Sequence, residues 1–481
     1  MRGFLTSSIG VTCAAALALP PALLNVPSAA AASASVPVRG QLRGLPAGGT
    51  QSLPLAPRTR ARVLGQAPEQ GVYSTGVRHF SMVGVVWDNP GTELHGTVRV
   101  RTRSAETGVW SGWQDVGTHN ADHGADPDTA EAASGRVRGA TAPLWVGDSD
   151  GVEVSVRADA DADADAGTDT GTDADADADA DAGADAGSGA GGSGGRDLLP
   201  AGLRLELVDP GADPPPEGSP SQGSPADAPA DASPTEADAS AAADADLAPF
   251  GATEIPALSR EDTERELLEL EGVDVPRGKP YIGPRPRIVT RRGWRADESL
   301  REKGFVYTGK VKAAFVHHTD SGNGYKCSQA SSVIRSIYRY HVVSMGWRDI
   351  GYNFLVDKCG TIYEGRAGGV AKAVKGAHTL GFNSNSMGIA VIGSFDSHKP
   401  PAAAVTAVAR LTAWKLGLFG ANPKGKTYLR SGGGNLYPKG KNVRLNVISG
   451  HRDGYATDCP GARLYAKLGS ARTSSAHLQG R

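Results

Sequence analysis

From Ala158 to Gly195 the chain repeats aspartate and alanine and then runs into glycine and serine, and such a stretch has no side chains with which to build a core. Its alternating alanines match no oxygen cage for calcium, so it reads as a disordered, self-repelling spacer. A second tract, rich in Pro, Ala, Asp and Ser from Asp209 to Leu258, reads as a flexible acidic linker. That linker region extends to residue 284. It holds one short charged helix, Arg260 to Glu271, opened by Ser259 with Asp262 three residues on. These tracts leave a β-rich segment, 72–208, interrupted by the 158–195 insert, and a C-terminal domain, 285–469.

Residues 1–34 carry Arg2, an apolar run from Ile9 to Leu24 broken by Pro20 and Pro21, and small-residue cleavage options at Ala30–Ala34. The run is short for a spanning helix, so an export signal is expected rather than an anchor. No later stretch is apolar enough to span a bilayer, so no transmembrane segment is expected in the mature protein, which is placed outside the cell or on the wall. Residues 283–481 hold 31 Lys+Arg against 10 Asp+Glu, leaving 19 of the 50 basic and 42 of the 52 acidic residues before them. A basic half invites a polyanion, and export favours anionic wall polymers over nucleic acid. Once Cys13 leaves with the signal, Cys327, Cys359 and Cys459 face an oxidising compartment. Cys327 and Cys359 can pair, and then Cys459 is spare.

Runs that alternate and favour Val, Trp and Thr predict strands at Phe80–Trp87, Gly96–Arg103, Trp110–Val116, Val152–Arg157 and Leu203–Val208, hence a small β-sandwich-like domain. Trp87, Trp110, Trp113 and Trp145 suit its core or a sugar-stacking face equally. In the C-terminal domain strands and helices alternate. Ala313–His317 is a short apolar strand, and Ser328–Met345 has helical spacing through Val333, Ile334, Ile337, Tyr338 and Val342. A hairpin is expected around Lys358-Cys359-Gly360, a central strand at Gly388–Gly393, a helix at Ala402–Leu418 and a last strand at Leu445–Gly450. The fold class is α/β, a mixed central β-sheet flanked by helices, preceded by the β-domain and disordered linkers.

Strand ends deliver His317 and His451, and Cys459 follows eight residues after His451. Two imidazoles and a thiolate suit Zn2+ and leave one position open for water. No His-Glu-x-x-His helix is present, so a thermolysin-like protease is not supported. Taken singly, His317 also suits a surface or core position and Cys459 a disulfide, so residues alone reach an exported hydrolase and leave the His-His-Cys metal site open.

Eight strings then occur in order: Phe315-Val-His-His-Thr319, Asp349-Ile-Gly-Tyr-Asn-Phe-Leu-Val356, Ile362-Tyr-Glu-Gly-Arg366, Gly376-Ala-His-Thr379, Gly381-Phe-Asn383, Met387-Gly-Ile-Ala-Val-Ile-Gly393, Gly450-His-Arg-Asp453 and Thr457-Asp-Cys-Pro-Gly461. Together they resemble the peptidoglycan recognition proteins and type-2 N-acetylmuramoyl-L-alanine amidases. The resemblance implies zinc on His317, His451 and Cys459, a catalytic hydroxyl on Tyr352 and a supporting role for Thr457. It implies that His341, His378 and Asn383 line a substrate groove, although His341 beside Ile337 and Val342 also suits a packed role. Gly346-Trp347 and Arg366 resemble features associated with diaminopimelate-type stem peptides. The chain departs from many relatives in reading Arg366-Ala367-Gly368. Asp453 and His318 suit supporting roles rather than ligation. The implied partner is bacterial peptidoglycan. The implied function is a secreted zinc amidase cutting between N-acetylmuramic acid and L-alanine, with a non-catalytic peptidoglycan binder or a stem-peptide peptidase as alternatives.

Overall fold

In the computed structural model, the runs Phe80–Trp87, Gly96–Arg103 and Val152–Arg157 lie within antiparallel strands, because alternating β-branched residues fit a pleated, half-buried surface, whereas only Gln114–Val116 of the expected Trp110–Val116 strand is one. The structure describes residues 48–58, 67–118, 120, 122–159, 199–213, 235–271 and 280–481. The expected export segment 1–34 and the Asp/Ala insert beyond Asp159 lie outside the described residues.

The first sheet contains β1 (Gly49–Pro54), β2 (Ala56–Pro57), β3 (Glu69–Trp87), β4 (Gly96–Ser104), β5 (Gln114–Val116), β6 (Gly139–Ala140), β7 (Leu144–Ala158) and β8 (Arg204–Asp209). Its order is β1-β8-β3-β7-β4-β5, with β2 and β6 also on β3. β8 follows the Asp/Ala insert in the chain and pairs with both β1 and β3, so the chain re-enters the same sheet after it. The β3–β7 register shifts between Thr75 and Phe80 and again before Met82, where an irregular strand can bend. Val83, Val85, Val98, Val100, Val154 and Leu205 then share one core.

Residues 235–258, expected as linker, are folded. They form α1 (Glu236–Ala243), capped by Thr235 and Asp238, and β9 (Glu254–Ile255). Leu247 and Ile255 are buried in the core of the C-terminal domain. A few apolar anchors suffice to dock a segment whose average composition is that of a linker. The expected charged helix is α2 (Arg260–Glu271), with Ser259 and Asp262 hydrogen-bonded at 2.7 Å.

The C-terminal elements are β10 (Ile288–Val289), β11 (Ala313–His318), α3 (Ala330–Arg339), β12 (Phe354–Val356), β13 (Ile362–Glu364), β14 (Ser386–Val391), α4 (Ala402–Gly417), β15 (Lys426–Arg430), β16 (Asn442–Asn446), β17 (Ile448–Gly450), α5 (Ala462–Tyr465) and α6 (Leu468–Leu478). The main sheet runs β17-β11-β14-β12-β13-β10-β9, parallel from β17 to β12. The single strand expected at Leu445–Gly450 is in fact two. Leu445 belongs to the β15–β16 ribbon and Ile448–Gly450 to the main sheet. A Cys327–Cys359 disulfide ties the turn before α3 to the β12–β13 hairpin.

Side chains alternate across the main sheet. Val316, Ile389 and Phe354 pack with Leu411 and Trp414 of α4, while Leu355 and Ala390 pack with Val333, Ile334 and Ile337 of α3. On its far side α3 meets the β-domain, since Met82, Val86, Trp145 and Val208 join the same cluster. The helix is therefore buried nearly all round, its apolar side chains in that cluster and its polar side held by bonds from Arg335 to Pro210 O and Asp213. A π-helical turn, Tyr340–Ser344, continues it into the domain junction. There Tyr340 donates to Thr141 O at 3.1 Å, and Ser344 donates to Glu206 at 3.0 Å.

Candidate metal and substrate site

Parallel strands present their carboxyl ends to ligands in α/β sheets. His317 is the next-to-last residue of β11, and His451 is the first residue after β17, the neighbouring strand. Cys459 returns beside them at the end of the loop that follows, its Sγ 3.7 Å from His317 Nδ1. A tetrahedral ion with ordinary zinc bond lengths places nitrogen and sulfur ligands about 3.6 Å apart. His451 Nδ1 is buried with no hydrogen-bond partner. Burial pushes the His317 and His451 rings below their ordinary values, His451 to about 3, so both offer neutral lone pairs. Burial pushes the Cys459 thiol well up, and a cation is what would favour its thiolate. The donor set, the spacing and the orphaned nitrogen all fit a metal ion.

Tyr352 stands just before β12, its ring 5.6 Å from that of His317. Burial, reinforced by Cys459, Asp122 and Asp320, keeps its hydroxyl protonated well above the ordinary range, so it remains a donor. Thr457 accepts from the Cys459 N–H at 3.1 Å and donates to Asp122. His378 is fully buried beneath His317, with Nδ1 at 3.3 Å from His317 Nε2. His341 sits in the π turn, accepts from the Gly351 N–H at 3.2 Å and lies tilted against Trp347, ring centroids 4.5 Å apart. Gly346 has φ +76°, and a Cβ there would come 2.1 Å from Arg136 O. Asp453 accepts from the Gly450 N–H and the Tyr465 hydroxyl, and His318 Nδ1 accepts from Phe395 N–H. Neither is a ligand of the His-His-Cys group.

The groove that the resemblance implies is covered. Residues 122–136 of the β-domain, between β5 and β6, lie across it. His123 joins His317, His451 and Cys459, one ligand atom from each lying within 4.8 Å of all the others. Its Nε2 is the second buried nitrogen there without a partner. The Asp122 carbonyl accepts from His451 Nε2 and from the Leu380 N–H. Asp126 accepts from Asn383 Nδ2 at 2.8 Å and from the Gly381 N–H at 3.0 Å. Glu131 takes both terminal nitrogens of Arg366 at 2.9 Å, a planar two-point match of fork and carboxylate. Burial alone would raise the Glu131 carboxyl, but the Arg366 guanidinium holds it below the ordinary range. Part of the basic surplus of the C-terminal domain is thus matched by the chain's own acidic half. Asp122, His123, Asp126 and Glu131 had not been singled out. Their signal was a histidine among carboxylates in a loop of a valine-rich domain, which a strand-by-strand reading passes over.

Two family models match the chain: one described as N-acetylmuramoyl-L-alanine amidase over residues 307–462, and one described as Rv3811 N-terminal galactose-binding domain-like over residues 38–181. Peptidoglycan-recognition protein SC2 of Drosophila simulans is 31% identical over 183 residues, covering 38% of this chain and 84% of that protein. Peptidoglycan-recognition protein LE of Drosophila melanogaster is 39% identical over 126 residues, covering 26% and 35%. The solved structure of Drosophila PGRP-LB is similar at 27% identity and a TM-score of 0.30, over 38% of this chain and 92% of that one.

Proposed function

Since the chain belongs to the peptidoglycan recognition protein and type-2 amidase family, we propose that it hydrolyses the amide joining N-acetylmuramic acid to L-alanine. The observation that carries this reading is the buried His317, His451 and Cys459 group, whose donor types and spacing suit zinc. A zinc ion held there supplies Lewis acidity toward a carbonyl and acidifies water. Tyr352, protonated and beside the group, donates a hydrogen bond to the oxyanion that develops on the scissile carbonyl. Thr457 is placed to make a second such bond when its hydroxyl is not engaged by Asp122. His378 orients the His317 ring from below. Arg366 presents a fork for a stem-peptide carboxylate, which favours diaminopimelate-type peptides, and Asn383 presents an amide to the peptide backbone. His341, Gly346 and Trp347 form the wall between them.

The reading places the protein outside the cell, on or near the wall. Among the described residues no helix is long and apolar enough to cross a membrane. The test is digestion of purified sacculi with and without chelator, followed by identification of new amino termini. Chelator-sensitive appearance of L-alanine termini is expected, and Tyr352→Phe should slow it by about 10²–10³-fold. Termini within the stem peptide would mean a peptidase. Binding without release, in a chain able to open its groove, would mean a recognition protein.

A further inference from the structure

The geometry points to residues 122–136 as a built-in inhibitor that occupies the groove by imitating the substrate. This rests on the function proposed above and adds its regulation: the chain as folded is closed, and peptidoglycan must displace its own β-domain loop.

Three observations carry it. First, the loop meets the site group by group. His123 brings a fourth metal-type donor to a set of three, and four protein ligands make a closed site where three leave one open. Asp126 satisfies the Asn383 amide, and Glu131 satisfies Arg366 with a carboxylate in two-point geometry. Second, the order is that of a substrate. Along the loop the contacts run from the metal group at His123, through Asn383, to the carboxylate fork at Arg366. A stem peptide with its scissile amide at the metal and a side-chain carboxylate farther along would make them in the same sequence. Third, the hold is polar. Residues 122–136 contain no large apolar side chain apart from Pro127, and their packing against the neighbouring core is through the small, partly buried Ala125. Polar contacts can be exchanged one for one with a ligand bearing the same groups, whereas pulling out a buried apolar side chain loses its burial with nothing returned. A cleft of about 360 Å³ lined by Trp87, His95, Asp122, Tyr455 and Thr457 reaches the start of the loop from outside. It gives an incoming glycan–peptide somewhere to begin.

The alternative is a permanent brace between domains. In that case removing the loop's contacts would loosen the protein without admitting ligand. The experiment uses the full chain and, as probe, a muramyl tripeptide ending in diaminopimelate. Binding is measured by calorimetry for the parent and for the His123→Ala/Asp126→Ala/Glu131→Ala variant. Since an occupied groove reduces apparent affinity by the fraction of open molecules, the variant should bind at least tenfold more tightly. Equal or weaker binding overturns the proposal. Two further readouts do not depend on the triple variant folding. Zinc transfer from the loaded chain to a chromophoric chelator should be at least tenfold faster in His123→Ala, and equal rates would remove His123 from the metal group. In the parent chain, amide hydrogen exchange over 122–136 should rise when the tripeptide is saturating. A bound tripeptide that leaves those amides as protected as before sinks the idea. Failure of the amidase reading looks different: the triple variant would bind the tripeptide tightly yet release no L-alanine termini from sacculi.

Discussion

Truncating Glu131 to alanine isolates the strongest link between loop and groove. Arg366 is 6% exposed and gives both terminal nitrogens to Glu131 at 2.9 Å. After truncation the guanidinium stays buried, still donating to the carbonyls of Ile350, Lys375 and Asp349. Removing one partner of a buried ion pair costs about 3–5 kcal/mol. The surviving carbonyl acceptors put this case at the lower end, about 3 kcal/mol. With a urea slope of about 3 kcal/mol/M for a large cooperative unit, the unfolding midpoint should fall by about 1 M. The same variant should be rescued by ligand. A diaminopimelate tripeptide returns a carboxylate to Arg366, and at a hundredfold excess over its Kd it stabilises by about 2.7 kcal/mol. In the parent that gain is smaller, because Glu131 must first be displaced. Urea titrations of both proteins, with and without tripeptide, read all four values. A variant as stable as its parent, or a ligand that stabilises both equally, would refute the reasoning.

Acid should open the same contact. Burial by itself would raise the Glu131 carboxyl, but Arg366, with Arg348 beside it, holds it below the ordinary 4.5. A lowered folded value means stability that is complete above the unfolded value and lost as pH falls through the folded one. Stability of the parent should therefore decline below about pH 4.5 more steeply than that of Glu131→Gln, as denaturant midpoints across pH will show. At the domain junction, a Cβ on Gly84 would meet the Tyr340 hydroxyl at 2.3 Å. Gly84→Ala should cost about 1–3 kcal/mol by overpacking, measurable as a lower thermal midpoint. Replacing both Cys327 and Cys359 with serine reopens a loop of sequence separation 32 and should cost about 3–4 kcal/mol on the chain-entropy account, again read by denaturation.

Local chemistry was legible from residues alone. The period of two in Val152–Arg157 and the period of 3.6 in Val333–Val342 are properties of short windows, and both became the elements they predict. His317, His451 and Cys459 were grouped because their donor types suit one ion, and they do meet in space. The motif strings carried Tyr352 and Arg366 to the same region. Windows of that kind also misread two places. Leu445–Gly450 reads as one short strand, yet Val447 bends between two sheets. The acidic stretch before Arg260 looked unfoldable because its average hid Leu247 and Ile255.

What no window could reveal is who occupies the groove. The contacts that close it join Asp122 to Thr457, Asp126 to Asn383 and Glu131 to Arg366, more than 200 residues apart in each case. They depend on the apolar side chains of α3 sharing one cluster with the main sheet and with Met82, Val86, Trp145 and Val208, so that its burial sets the β-domain against the site. Sequence by itself determined which side chains have the donor types for a metal and which motif residues gather around them. The tertiary structure decided that the chain's own carboxylates and His123 reach them, because the position of a polar loop is set by the hydrophobic surfaces that carry it rather than by the loop's own pattern.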